Sequence, residues 1–167
     1  MYDDLDGQAC AYAAAVLNET GLFTGERIGS RLCFCPEKTV TRAEFLSLCL
    51  QLDGSAEGFA VMRTAYEDDK AITAWVKECW VSAQLDGFAP GNEEFCAFDP
   101  VRADEAGEWL NAALRLTEIG YRNPSDAETQ AYLNLTAHGI PAVSGDTVLT
   151  RAEAAEMLAA AWKLNNK

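Results

Sequence analysis

The chain has 167 residues, 49% of them hydrophobic, and its 26 acidic against 13 basic side chains give a formal net charge of −13. That length and apolar content suit one folded domain with a sizeable core, or a few small packed units, and exclude a disordered chain. The charge balance excludes nucleic acid and anionic membrane surfaces as general partners, because counterion release needs clustered Lys and Arg; an anionic ligand must find a local basic site.

The opening stretch "MYDDLDGQAC" has no basic n-region and no apolar h-region, so no signal peptide is read there. No apolar run approaches the length of a membrane-spanning helix, and no membrane insertion is expected. The chain is therefore expected to be cytosolic, or a domain or mature segment whose leader has been removed. "DDLDG" hints at a calcium loop, but a register starting at Tyr2 puts Ala13 where the bidentate Glu is needed, and the loop is rejected. An apolar helix follows, closed by a loop at Gly21-Leu22.

Thr41-Arg42-Ala43-Glu44 then carries the capping-box spacing: the Thr hydroxyl accepts from the N3 amide and the N3 Glu reaches back to the cap amide. Phe45, Leu48, Cys49 and Leu52 follow at i, i+3, i+4 and i+7, one face of a helix. A linker at 53–65 leads to a second segment that again opens with an aromatic and acids, Tyr66-Glu67-Asp68, and continues as an apolar helix to a loop near Leu85. Its counterpart of the tetrapeptide is Val101-Arg102-Ala103-Asp104. There Asp99-Pro100 reads as N-cap and N1, and the apolar face is offset by one, to Ala106, Trp109, Leu110 and Ala113. After a second linker at 117–128, "AYLNLTAHGIPAVSGDTVLTRAEAAEMLAAAWKL" ends the chain. Thr150-Arg151-Ala152-Glu153 opens its last helix, with Ala154, Met157, Leu158 and Ala161 on one face. Twelve residues separate Gly139 from Arg151, against twenty-one between Gly21 and Arg42, so the intervening loop is shortened. The reading is one module, 1–167, of three degenerate repeats at about 2–52, 66–116 and 121–164.

Six cysteines, at 10, 33, 35, 49, 79 and 96, include no Cys-x-x-Cys. The spacing fits buried reduced thiols best, leaves disulfides open and speaks against a zinc site. Trp75, Trp80, Trp109 and Trp162 fall on apolar stripes and are expected in the core. With no glycine-rich phosphate loop, no Gly-x-Ser-x-Gly and a single histidine, His138, an enzyme is not expected, nor is a cofactor or metal.

Tyr2, Asp4-Leu5, Gly21-Leu22, Gly25, Phe34, Pro36 and Val40-Thr41-Arg42-Ala43-Glu44-Phe45 together resemble the repeat of the S-layer homology family. The resemblance spans most of the chain and is strongest in the first segment and at the end of the third. It implies a mainly α fold, with three helix–loop–helix repeats packed in pseudo-threefold symmetry around a central helical bundle. It also implies a non-catalytic module that binds secondary cell-wall polysaccharide, often pyruvylated, and holds a larger surface protein on a Gram-positive-type envelope. In that picture Arg42, Arg102 and Arg151 contact a carboxylate-bearing sugar, as a guanidinium fork can, while Asp4 and Asp68 accept from sugar hydroxyls. The residues alone allow another role: arginines that tie helix starts to neighbouring carboxylates, and aspartates that cap helices. The chain also departs from the family's pattern, with Ala9-Cys10 and Ala71-Ile72 where a Trp is usual. The second expectation is accordingly a diverged scaffold for protein–protein interaction without glycan binding.

Overall fold

The computed structural model describes residues 2–54, 63–85, 94–116 and 127–166. These are mainly helical: α1 (Ala11–Thr20), α2 (Arg42–Asp53), α3 (Ala74–Leu85), α4 (Ala103–Ala113), α5 (Ala127–Ala137) and α6 (Arg151–Asn165), with one antiparallel hairpin of β1 (Glu26–Ile28) and β2 (Arg31–Cys33). None of the described helices is long and apolar enough to cross a membrane.

Both capping boxes form. Thr41 and Thr150 each accept from the amide of the Glu three residues on, and Glu44 and Glu153 each return a carboxylate oxygen to the cap amide at 2.9 Å. The apolar faces behind them are buried, from Phe45, Leu48 and Cys49 in α2 to Ala154, Met157, Leu158 and Ala161 in α6. At the other end of the motif, Gly21 and Gly139 close α1 and α5 in the left-handed conformation. There the Leu22 amide reaches back to Leu17 and the Ile140 amide to Leu135, which satisfies the last carbonyls.

The second segment corrects the expectation. Asp99-Pro100 does not start α4; the helix begins at Ala103, and Arg102 occupies the N-cap position in extended geometry. The cause is a closed ring of backbone hydrogen bonds. The Val40 amide donates to the Leu149 carbonyl, Leu149 to Val101, and Val101 back to Val40, at 3.1, 2.9 and 2.9 Å. All three side chains are fully buried. Holding Val101 in this ring keeps residues 100–102 extended, with Thr41 bridged to Pro100 and Arg102 to Val148.

The same ring disposes of the unpaired amides that begin each helix. Arg42 and Ala43 donate to the carbonyls of Asp99 and Ala97, Ala103 and Asp104 to those of Thr147 and Gly145, and Arg151 and Ala152 to those of Lys38 and Pro36. Each segment's last helix thus begins on the segment that follows, and the third begins on the first. Helix packing has the same sense: α2 lies on α3, α4 on α5, and α6 on α1, while α2 also touches α4 and α6.

Trp80 and Trp109 are core residues, as expected, but Trp75 is 44% exposed at the start of α3 and Trp162 is only half-buried. The six cysteines are free thiols. Within the hairpin's approach, a Cβ on Gly25 would lie 2.3 Å from both the Cys33 carbonyl oxygen and the Tyr2 ring. The Gly25 amide also donates to the Tyr2 hydroxyl at 2.7 Å. Gly25→Ala is therefore expected to cost about 1–3 kcal/mol by overpacking, seen as a lower urea midpoint at unchanged slope.

Candidate functional site

The predicted residues come together in two places and separate in a third. At the first, the Asp4 carboxylate accepts from the Phe34 and Cys35 amides at 2.8 and 2.7 Å. At the second, Asp68 accepts from Phe95 and Cys96 at 2.9 and 2.8 Å. Neither aspartate caps a helix: α1 starts ten residues in, at Ala11, behind Cys10, which makes no side-chain cap bond. Their oxygens instead hold the backbone at Cys35 and Cys96, both in the left-handed region at φ 58° and 50°, where a side chain is strained and needs outside support. Burial opposes the ionised form of Asp4, but the amides of Phe34 and Cys35 outweigh it and hold the carboxyl below its ordinary value.

The carbonyls of the same two phenylalanines face the arginines. Arg151 Nε donates to the Phe34 carbonyl and Arg42 Nε to the Phe95 carbonyl, each at 2.7 Å. Each phenylalanine is thus gripped at its amide by an aspartate of its own segment and at its carbonyl by an arginine of the preceding one. Tyr2 and Tyr66 complete the pair, with ring centroids 5.3 Å from Phe34 and 5.5 Å from Phe95. Burial raises both phenols, Tyr66 to about 12.

The two guanidinium groups differ in what balances them. Arg42 is buried against Glu105, whose two carboxylate oxygens lie 2.5 and 2.6 Å from Nη1, and stands over the Phe95 and Trp109 rings. Glu105 occupies the third position of α4, where Glu44 and Glu153 close capping boxes. With arginine at the cap there is no hydroxyl to close a box around, and Glu105 turns to Arg42. Arg151 is equally buried, but its partners are neutral. Its Nη2 donates to the Thr24 carbonyl at 2.8 Å, and its charge lies 4.3 and 4.7 Å from the Phe23 and Phe34 ring centroids. No carboxylate within 4 Å pairs with it among the described residues.

Arg102 does not belong with the other two. Counted from the backbone ring, Arg42 and Arg151 stand two residues beyond Val40 and Leu149, and the residue two beyond Val101 is Ala103. Arg102 sits one place early, its side chain 52% exposed, bonded to Asp104 at 3.0 and 2.8 Å and 3.7 Å from Glu128. The signal for this was present in the sequence as the one-residue offset of the α4 apolar face: aligned on that face, Ala103 and not Arg102 falls opposite Arg42. Asp126, the third segment's nearest acid, lies outside the described residues.

His138 donates from Nδ1 to the Asn134 carbonyl at 2.8 Å, a contact at the end of α5. Among the described residues no group of three His, Cys, Asp or Glu side chains could hold a metal ion. No known family's sequence profile matches the chain, and no curated protein matches it significantly.

Proposed function

We propose that the chain is a three-repeat module of the S-layer homology kind, its units related by an approximate threefold axis through the Val40–Val101–Leu149 ring. Its work is binding rather than catalysis: it holds a larger surface protein to an acidic, pyruvylated or similar secondary cell-wall polysaccharide. The observation that carries this reading is Arg151. A buried guanidinium that, among the described residues, meets two carbonyls and two aromatic rings but no carboxylate within 4 Å keeps its charge for an anionic sugar, in a chain whose net charge is −13. Arg102, half exposed and paired with Asp104, is the second candidate contact.

A second reading, a diverged scaffold that binds protein partners, is favoured by Arg42. Its fork is already taken by Glu105 and the Phe95 carbonyl, and Asp4 and Asp68 spend both oxygens on backbone amides. On that reading the arginines are latches between segments.

Sedimentation of the purified protein with cell-wall sacculi, before and after removal of their secondary polysaccharide, separates the two. Arg102→Ala and Arg151→Lys are the variants to compare, each with its melting curve recorded. The anchor reading expects co-sedimentation that needs the polysaccharide and falls in folded Arg151→Lys, whose ammonium cannot span two carbonyls. Failure of the parent protein to sediment with sacculi of its own organism leaves the scaffold.

A further inference from the structure

The segment that precedes α1 is tied to two other elements. The Asp3 amide donates to the Leu32 carbonyl of β2 at 2.8 Å, and the Asp3 carboxylate accepts from the Leu32 amide at 2.7 Å. The Tyr2 hydroxyl accepts from the Gly25 amide and donates to Asn18 Oδ1 of α1 at 2.9 Å. These bonds fix three pieces of chain around a cavity of about 640 Å³. Tyr2, Leu5 and Leu32 line it, and α1 contributes Ala11, Tyr12 and Ala15. Ala11, Ala15 and Glu19 are spaced by four and share one face of α1, where two methyl groups leave the space that longer side chains would fill. The charged groups in the lining are Asp6 and Glu19. Among the described residues neither carboxylate has an ion-pair partner, and no basic side chain lines the cavity. Lys163 lies over the Tyr12 ring, 4.5 Å from its centroid, but lines the adjoining cavity. The cavity beside Gly107 differs, because there Asp104 and Glu128 already meet Arg102.

We infer that this cavity is a binding site for a small organic cation, an aromatic or alkyl amine whose apolar body lies against Leu5, Leu32 and the α1 alanines while its ammonium meets Asp6 and Glu19. The volume is that of a small-molecule pocket, and mostly apolar walls with a few polar groups are the usual composition of one. Charge complementarity selects the sign of the ligand: an anion would face two carboxylates in the field of a chain with net charge −13, whereas a cation is drawn to them. A bare metal ion is disfavoured, since among the described residues no three His, Cys, Asp or Glu side chains are placed to hold one. The bonds from Asp3 and Tyr2 set the walls before any ligand arrives, so little ordering cost falls on binding. The site is separate from Arg151, and the inference does not rest on whether the module binds polysaccharide.

The test is a titration of isotope-labelled protein at neutral pH with 2-phenylethylamine, followed by amide chemical shifts. 2-Phenylethanol and 3-phenylpropionate, of similar shape but neutral and anionic, are the comparisons. Saturable shifts are expected at Leu5, Asp6, Gly7, Leu32 and along Ala11–Glu19, with the amine binding several-fold tighter than the alcohol and the acid not binding. Added salt should narrow the gap between amine and alcohol. Ala15→Leu, at an exposed position of α1, fills the cavity and should abolish binding of both. Asp6→Asn with Glu19→Gln should remove the preference for the amine and leave the alcohol's affinity unchanged, and this pair decides the matter if Ala15→Leu does not fold. Absence of saturable shifts in the parent protein, shifts confined to another face, equal binding of amine and acid, or an amine preference that survives loss of both carboxylates would overturn the proposal.

Discussion

Arg42→Ala is expected to destabilise the fold by about 3–5 kcal/mol, the usual cost of removing one partner from a buried ion pair. The loss is larger than the pair's net contribution, because Glu105 is left behind with its side chain 14% exposed and, among the described residues, no other cation at contact. The Phe95 carbonyl loses its donor as well. A folded domain has only about 5–15 kcal/mol in hand, so the variant should be partly unfolded at modest urea. Arg42→Met with Glu105→Leu is expected to recover most of the loss, since it removes both charges and keeps the volume. A double-mutant cycle by urea denaturation measures this, and a double variant no better than Arg42→Ala would refute it.

The pH dependence of Arg42→Ala has a defined sign. Burial raises the Glu105 carboxyl above its ordinary 4.5, and Arg42 opposes that rise. Without Arg42 the folded value climbs further above the unfolded one. A raised carboxyl contributes stability below the unfolded value and loses it as pH rises through the folded value. The deficit of Arg42→Ala should therefore be smallest in acid and grow towards neutrality. Arg151→Ala serves as the contrast: it vacates the corresponding place without stranding a carboxylate, so it should cost less and show no such trend.

The recurring Thr-Arg-Ala-Glu now has a reason for each letter. Thr and Glu close the capping box, which a four-residue pattern is enough to predict. The flanking apolar faces were legible for the same reason, since helical periodicity is local. Arg and Ala answer to contacts that no local pattern contains: Arg42 reaches a carbonyl 53 residues on, and Arg151 one that lies 117 residues back. Ala43 and Ala152 crowd against the neighbouring segment, where their amides donate to Ala97 and Pro36. The offset in the second segment was visible as a shift of its apolar face, but its meaning depends on the backbone ring at Val101. Asp99-Pro100 misled because a good capping dipeptide was drawn into extended pairing instead. Trp75 misled because helical spacing places it on a stripe without fixing which side of α3 meets α2.

Asp4→Ala is expected to be nearly as damaging as Arg42→Ala, at about 3 kcal/mol, although among the described residues no cation pairs with Asp4 at contact. Its carboxylate takes two amides, and charge-assisted bonds of this kind contribute about 1.5–3 kcal/mol each, more when the stranded donor is buried. Phe34, which supplies one of those amides, is completely buried. The other comes from Cys35, whose backbone is left-handed and whose carbonyl accepts from the Lys38 amide at 3.0 Å. Losing the clamp also loosens the carbonyl that Arg151 grips, so the damage should cross into α6. Asp4→Asn is expected to fall between parent and Asp4→Ala, since an amide has one acceptor oxygen for the two donors.

The acid response carries the same information with a sign opposite to that of Glu105 in Arg42→Ala. The Asp4 carboxyl is held below its ordinary 3.8 in the fold. A depressed carboxyl contributes stability above the unfolded value and loses it as pH falls through the folded value. The parent protein should therefore lose stability as pH falls below about 4 more steeply than Asp4→Asn, whose amide does not titrate. Urea midpoints taken from pH 7 downwards would show the two curves converging in acid. Parallel curves would mean that Asp4 has its ordinary proton affinity and that the clamp at Cys35 is held by something else.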